Sequence, residues 1–143
     1  VGIGPGDAAW RTPEATAALR EAGHVVGYRL YLDLVRDLIA GKARHDSELT
    51  EEESRVRLAL DLAAAGESVA LVSSGDAGVY GLASLVFECL ERDNDPAWNR
   101  VAVSVVPGLS ALQAAAAAAP KTPAMACVLL WLSLRKSTPP MAW

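Results

Sequence analysis

The sequence predicts an α/β domain with a mostly parallel sheet of about five strands, flanked by helices on both faces. Short apolar runs alternate along the chain with segments of helical periodicity, which is typical of parallel strands buried between two layers of helices. Glycine-rich turns follow three of these runs. Hydrophobic residues make up 52% of the 143 residues, so the chain is long and apolar enough for one domain with its own core.

The first part of the chain has the predicted order strand, helix, strand, helix. Residues 1 to 3 resemble the end of a strand. Thr12-Pro13-Glu14 predicts a helix start, because the hydroxyl can cap, the proline loses no hydrogen bond in the first turn, and the acid faces the positive end of the helix dipole. A short β-rich run covers 24–28, and leucines at helical spacing predict a second helix over 30–40.

The second part continues the alternation. Residues 41–49 are polar and are predicted to be irregular. Thr50 and Glu53 form the pattern of a capping box, which predicts a helix to about residue 65. The later elements are predicted as a strand over 69–72, a helix over 79–92, a strand over 101–106 and an alanine-rich helix over 109–119 that ends at Pro120.

The character of the sequence changes at Pro120. Residues 121–126 contain turn residues, 127–134 form an apolar run that could be a fifth strand, and the rest is polar and contains prolines. We therefore expect one domain over residues 1–119 and a divergent tail over 120–143.

Charge and cysteine content exclude several classes of function. The chain has 17 acidic and 13 basic residues and a net charge of −4, with no basic patch for nucleic acid, so we expect no nucleic-acid partner. Cys89 and Cys127 lie in apolar contexts without metal-ligand spacing, which predicts reduced, buried thiols, a cytoplasmic protein and no metal site. The longest apolar run is shorter than the roughly 20 residues of a membrane span, so no membrane partner is expected.

Three glycine-rich corners follow predicted strands and are the candidate binding elements. They comprise residues 4–7, 73–81 and 106–111. In open α/β sheets the crevice beyond the carboxyl ends of the strands binds ligands, because backbone N–H groups are free there. We therefore expect the three corners to converge at one edge of the sheet.

Two familiar phosphate-binding motifs do not explain these corners. Gly2, Gly4 and Gly6 alternate, whereas the dinucleotide fingerprint needs its third glycine three residues after the second, and Asp7 would place a carboxylate next to a phosphate. No Gly-Lys-Ser/Thr sequence follows any strand, which excludes a P-loop.

Four ordered sequence blocks resemble the tetrapyrrole methylase family. The blocks are Gly-Ile-Gly-Pro-Gly-Asp at 2–7, Val-Gly-Tyr at 26–28 with Tyr31, Ser-Gly-Asp-Ala-Gly-Val-Tyr-Gly at 74–81, and Val-Pro-Gly-Leu-Ser-Ala at 106–111. The resemblance covers residues 1 to about 118. Within the family, the 74–81 block, the stretch around Tyr28 and the 44–55 segment are most similar to the precorrin-3B C-17-methyltransferases.

The resemblance implies a fold, a cofactor and a reaction. The chain would be the N-terminal domain of the tetrapyrrole methylase fold, with S-adenosyl-L-methionine as methyl donor, held between this domain and a C-terminal one. The reaction would be methylation at C-17 of a corrin precursor with ring contraction, precorrin-3B to precorrin-4, in cobalamin biosynthesis. The substrate would be a tetrapyrrole, and the full-length family member would be a homodimer.

The resemblance also implies cofactor contacts, and each of these residues could instead have a purely structural role. Pro5 and Gly6 would form the floor of the site, or only a tight turn. The 74–81 block would line the methionine and ribose, with Asp76 as an acceptor, although an aspartate there could instead cap the next helix. Ser110 and Ala111 would lie near the adenosine, or merely start a helix. The full set is Pro5, Gly6, Gly75, Asp76, Ala77, Val79, Tyr80, Ser110 and Ala111.

Four residues are candidates for contact with the tetrapyrrole. Tyr28, Arg29 and Tyr31 offer flat aromatic surfaces and a guanidinium, which suit a macrocycle with many carboxylates. His45, in the predicted polar loop, could also contact substrate. The alternatives are a core position for Tyr31 and ordinary surface positions for Arg29 and His45.

No catalytic residue is assigned, because methyl transfer from an activated donor needs chiefly positioning and the exclusion of water. The family's C-terminal domain is not recognisable after residue 119, so we expect feeble or no turnover by this chain. Two alternatives stay open: another precorrin methyltransferase of the same pathway, and a non-catalytic ligand-binding or dimerisation fragment.

Overall fold

A computed structural model of the chain describes residues 1–118 and shows a parallel three-stranded sheet. The strands are β1 (His24–Tyr28), β2 (Ala43–Ser47) and β3 (Val69–Val72), in the order β2-β1-β3. Val25 pairs with Arg44 on one side and with Ala70 on the other. The predicted tail and the possible fifth strand over 127–134 lie outside the described residues.

Five α-helices accompany this sheet in the described part of the chain. They are α1 (Pro13–Glu21), α2 (Arg29–Leu34), α3 (Glu52–Ala64), α4 (Leu82–Asp93) and α5 (Ala111–Ala118), with short 3-10 turns at Ala8–Trp10 and Trp98–Arg100. The predicted start of α1 is confirmed, because Thr12 Oγ1 accepts a hydrogen bond from the N–H of Ala15 at 3.0 Å.

Helices cover both faces of the sheet, as predicted. One cluster joins Leu19 of α1 and Leu32 of α2 to Val25 and Val72 of the strands. The other joins α3 and α4 over the opposite face, where Leu71 packs against it. Because successive side chains of a strand point to opposite faces, Val72 and Leu71 belong to different layers of the core.

The predicted count of about five strands is wrong for the described residues, which form three. Residues 101–106 are not a strand. The N–H of Gly2 donates to the carbonyl of Val106 at 2.9 Å, but a groove of about 540 Å³ lies between 101–106 and β3. Residues 1–3 form only an isolated bridge, between Gly2 and Ser73. The apolar character of residues 1–3 and 101–106 predicted extended backbone. It does not determine whether their N–H and C=O groups pair with a neighbouring strand.

The polar segment 41–49 is not wholly irregular, because it contains β2. Among residues 1–118, this strand lies at the edge of the sheet and pairs only with β1. A polar edge strand lacks the apolar alternation that reveals a half-buried one, and edge strands commonly carry charged side chains.

The second and third helices also differ from the prediction. α2 stops at Leu34, because the N–H groups of Val35 and Leu38 bond to carbonyls three residues earlier and so form tight turns in place of the helix. The predicted capping box is wrong, since Glu51 is the N-cap residue of α3 and has no side-chain cap bond. The Glu51 carboxylate accepts instead from the N–H of Glu48 at 2.8 Å.

Candidate ligand site at the convergence of three corners

The three glycine-rich corners meet at one edge of the sheet, as the sequence predicts. The N–H of Gly4 donates to the carbonyl of Gly75 at 3.1 Å, and the N–H of Gly75 donates to the carbonyl of Gly4 at 2.9 Å. The third corner joins them where the N–H of Gly108 donates to Oδ2 of Asp76 at 2.9 Å. These contacts place the turn after the first residues, the turn after β3 and the 106–111 segment within one small region.

Two glycines allow this close approach. A Cβ on Gly2 would lie 2.7 Å from the backbone nitrogen of Gly108 and 2.7 Å from the carbonyl oxygen of Gly75. A Cβ on Gly108 would collide with that same carbonyl and lie 2.7 Å from the carbonyl oxygen of Gly2. Since all these atoms are backbone, no side chain can move aside, and only glycine fits at either position.

Asp76 fastens the second corner to the third. Its Oδ1 accepts from the N–H groups of Gly78 and Val79, both at 2.8 Å, and its Oδ2 accepts from Gly108. The hydrogen bond from Gly108 is the main cause that lowers the pKa of Asp76 below 3.8, with burial opposing it. Asp76 does not cap α4, whose N-cap residue is Gly81. The carboxylate therefore stays ionised and holds the loops in place.

Ser110 and Ala111 lie beside the second corner. Gly75 has a φ of +61°, and a Cβ built on it would be 3.7 Å from Cα of Ser110 and 3.8 Å from the nitrogen of Ala111. Ser110 also starts α5, because its Oγ accepts from the N–H of Gln113 at 3.3 Å while the Gln113 side chain accepts from the N–H of Ser110 at 2.8 Å. The alternative that Ser110 caps a helix is thus confirmed. Ser110 also lies close to Gly75.

The other predicted cofactor residues surround this junction. Pro5 is exposed and follows Gly4 directly, and open space surrounds the Cβ position of Gly6, which has a φ of +129°. Ala77 is buried beneath the loop, whereas Val79 and Tyr80 are exposed at its tip. Tyr80 has a φ of +54°, a conformation that is uncommon for a bulky residue.

Two of the predicted substrate residues lie together at the carboxyl end of β1. The rings of Tyr28 and Tyr31 meet edge to face with centroids 5.1 Å apart. Tyr31 also packs against the core and lines a cavity of about 300 Å³, to which Tyr80 contributes. Arg29 is exposed at the start of α2.

His45 does not lie in a loop, because it occupies the middle of β2. Its Nε2 is 3.0 Å from Nδ1 of His24, and the two rings stack with centroids 5.2 Å apart. It is not among the residues that line the 300 Å³ cavity. The structure therefore separates His45 from the two tyrosines.

Arg55 was not among the predicted site residues, but it lines the 300 Å³ cavity with only 3% of its surface exposed. The buried positions of α3 are 55, 56, 59 and 60, a helical stripe on which every other residue is apolar. A charged residue on an apolar stripe was the signal available in the sequence.

Residues 1–118 contain no helix of the length and apolarity that a membrane crossing requires. In the same part of the chain, His, Cys, Asp and Glu side chains form no group of three suited to a metal ion.

Comparisons with known proteins place these features in context. Residues 1–139 match the Tetrapyrrole (Corrin/Porphyrin) Methylases. The chain is 46% identical over 116 residues to the cobalamin biosynthesis protein CobIJ of Mycobacterium tuberculosis (strain ATCC 25618 / H37Rv), which covers 81% of this chain and 22% of that protein. It is 43% identical to the probable cobalt-factor III C(17)-methyltransferase of Salmonella typhimurium, covering 81% of this chain and 46% of that protein.

Solved structures of methyltransferases are also similar to this chain. The methyltransferase CobJ superposes with a TM-score of 0.73 at 42% identity, over 82% of this chain and 48% of that one. The uroporphyrin-III C-methyltransferase of Thermus thermophilus, complexed with S-adenyl homocysteine, superposes with a TM-score of 0.60 at 30% identity, over 85% of this chain and 51% of that one. The chain spans less than half the length of the two relatives compared by sequence.

Proposed function

The chain belongs to the tetrapyrrole (corrin/porphyrin) methylase family, and from this premise we propose that it is the cofactor-binding part of an S-adenosylmethionine-dependent methyltransferase that methylates C-17 of a corrin precursor in cobalamin biosynthesis. The observation that carries this proposal is the junction of the three corners around Gly75, Asp76 and Gly108. Similarity to proteins named C(17)-methyltransferases supports the choice of reaction.

The residues at the junction fit the methyl donor. Close backbone contact at Gly2 and Gly108 leaves no side chain between the corners, and the Cβ position of Gly6 faces open space. We assign the cofactor contacts to Pro5, Gly6, Gly75, Asp76, Ala77, Val79, Tyr80, Ser110 and Ala111. The donor supplies a methyl group already activated on a sulfonium, so the protein needs no strong base or nucleophile.

The contribution of the chain to such a reaction is positioning. The carboxylate of Asp76 accepts hydrogen bonds from three backbone N–H groups. In our proposal it therefore fixes the shape of the loop whose backbone contacts the donor. Tyr28 and Tyr31 offer aromatic surface at the same edge of the sheet. Arg29 and His45 remain predicted substrate contacts, and Tyr31 has the stronger support because it lines the cavity.

Methyl transfer can be tested in a chimera, because the relatives contain more chain than this one. Residues 1–118 would replace the matching segment of the Salmonella typhimurium protein. With labelled S-adenosylmethionine and cobalt-factor III or precorrin-3B, we expect label in the tetrapyrrole, and product analysis should place it at C-17. Label on another ring carbon would favour a different methylase of the pathway. Donor binding without transfer would favour a ligand-binding fragment.

We further propose that the full-length protein is a cytoplasmic homodimer without nucleic-acid partners. The absence of a basic patch among 13 basic residues supports the last point. The buried, free thiol of Cys89 is compatible with a reducing compartment. Light scattering coupled to gel filtration would measure the oligomeric state.

A further inference from the structure

A buried cation forms part of the wall of the 300 Å³ cavity. Within residues 1–118, Arg55 is the only charged residue that is buried as a whole, backbone and side chain together. It projects from α3 at the edge of the sheet where Ser73 and Ser74 begin the second corner, and all three residues line the cavity. A charge removed from water in this way requires compensation by partners.

The partners of Arg55 are neutral. Its Nε donates to Oγ of Ser47 at 2.6 Å, and its Nη2 donates to the carbonyl of Glu48 at 2.7 Å. Ser47 in turn donates to the carbonyl of Gly27 at 3.1 Å. Within the described part of the chain, no carboxylate lies within 4 Å of the guanidinium. These bonds fix the orientation of the side chain but leave its positive charge without a counter-ion.

The guanidinium also has unused donors. A guanidinium carries five N–H groups in a planar fork, and Nη1 makes no hydrogen bond with residues 1–118. The cavity that Arg55 lines adds the aromatic rings of Tyr31 and Tyr80 and the hydroxyl of Ser74. The other charged residue that lines the cavity is Glu52, and it is not among the ion pairs of the described residues.

We propose that Arg55 binds a carboxylate of the tetrapyrrole substrate in this cavity. The inference rests on the proposed function, because the substrate class comes from it. A planar fork held by two bonds is suited to a carboxylate, and the aromatic rings beside it are suited to the edge of a macrocycle. Of the residues assigned to the methyl donor, Tyr80 is the one that lines this cavity, which favours the tetrapyrrole over the donor's own carboxylate.

The test is a titration of the 143-residue chain with uroporphyrin, a tetrapyrrole with carboxylate side chains, followed by its visible absorbance. We expect Arg55→Gln to weaken binding about tenfold to a hundredfold, the effect of losing a hydrogen bond between charged groups. The matched control is Arg57→Gln on the same helix, whose guanidinium pairs with Glu53 and Asp93 outside the cavity. Equal binding by the wild type and Arg55→Gln would overturn the proposal.

Glu52→Gln provides a second test if Arg55→Gln does not fold, because it leaves the hydrogen bonds of Arg55 in place. Removing the one opposing charge in the cavity wall should tighten uroporphyrin binding severalfold, and unchanged or weaker binding would count against the proposal. Circular dichroism of each variant establishes that it is folded.

S-adenosylhomocysteine separates this inference from the proposed function. Its affinity should be the same for the wild type and Arg55→Gln, and a parallel loss would mean that Arg55 binds the donor's carboxylate, which overturns the proposal. Absence of S-adenosylhomocysteine binding to the chimera described above would refute the proposed function, whereas Arg55-dependent binding of uroporphyrin would still show an anchor for carboxylates.

Discussion

We expect the Gly108→Ala chain to lose about 3 kcal/mol or more of folding free energy and to lose measurable binding of S-adenosylhomocysteine. A Cβ at this position would collide with the carbonyl of Gly75 and lie 2.7 Å from that of Gly2. Overpacking usually costs about 1–3 kcal/mol when side chains can adjust. Here the obstacles are backbone atoms, so relief requires the corners to separate. Urea unfolding and calorimetric titration measure the two effects.

Gly23→Ala is the matched control. A Cβ there would lie 3.6 Å from Oγ of Ser68, which is ordinary van der Waals contact. We expect a change in stability within about 1 kcal/mol and unchanged binding of the ligand. If Gly108→Ala behaved like Gly23→Ala, the close junction of the corners would be refuted.

The second large effect is expected from Asp76→Asn. Asparagine has the size of aspartate but only one acceptor oxygen, so in either orientation of its amide it loses the bond from Gly108 or the pair from Gly78 and Val79. We expect a loss of about 1–3 kcal/mol in stability, because backbone donors lose a charged acceptor. Binding of S-adenosylhomocysteine should weaken as well, since the second and third corners are no longer joined.

The pH dependence of this effect has a definite sign. The pKa of Asp76 is lowered in the folded chain, so its contribution is present above the unfolded value near 3.9 and is lost as the pH falls through the lower folded value. The stability difference between wild type and Asp76→Asn should therefore shrink in acid. Asp37→Asn, whose carboxylate is exposed beside Arg11, is the control and should change the free energy of unfolding little.

Local signals in the sequence predicted the parts of the fold that depend on local chemistry. Thr12 caps α1 because its hydroxyl and the following proline suffice for a helix start. The convergence of the corners followed from the parallel alternation of strands and helices. The strand predicted at 101–106 is absent from the structure, because strand pairing depends on partners distant in the sequence, which a local apolar pattern does not reveal.

The candidate site was likewise predictable where it depends on local sequence and not where it depends on distant residues. The second corner was identified from its glycines, and Gly75 does adopt a φ of +61°. The hydrogen bond from Gly108 to Asp76 was not predictable, since Gly108 lies far along the chain. Arg55 was a detectable exception to an apolar stripe, but its cavity is formed by residues from several elements and became visible only in three dimensions.

The most direct test of the account is a titration of the isotope-labelled chain with S-adenosylhomocysteine, followed by the backbone amide signals in NMR spectra. Binding at the junction predicts that the signals of Gly6, Gly75, Gly108 and Ala111 shift together with a single dissociation constant. Signals of Ala102, Val103 and Ser104, on the far side of the groove that faces β3, should remain in place. Shifts confined to one corner, shifts only in that groove, or no shifts at all would contradict a donor site built by the three corners.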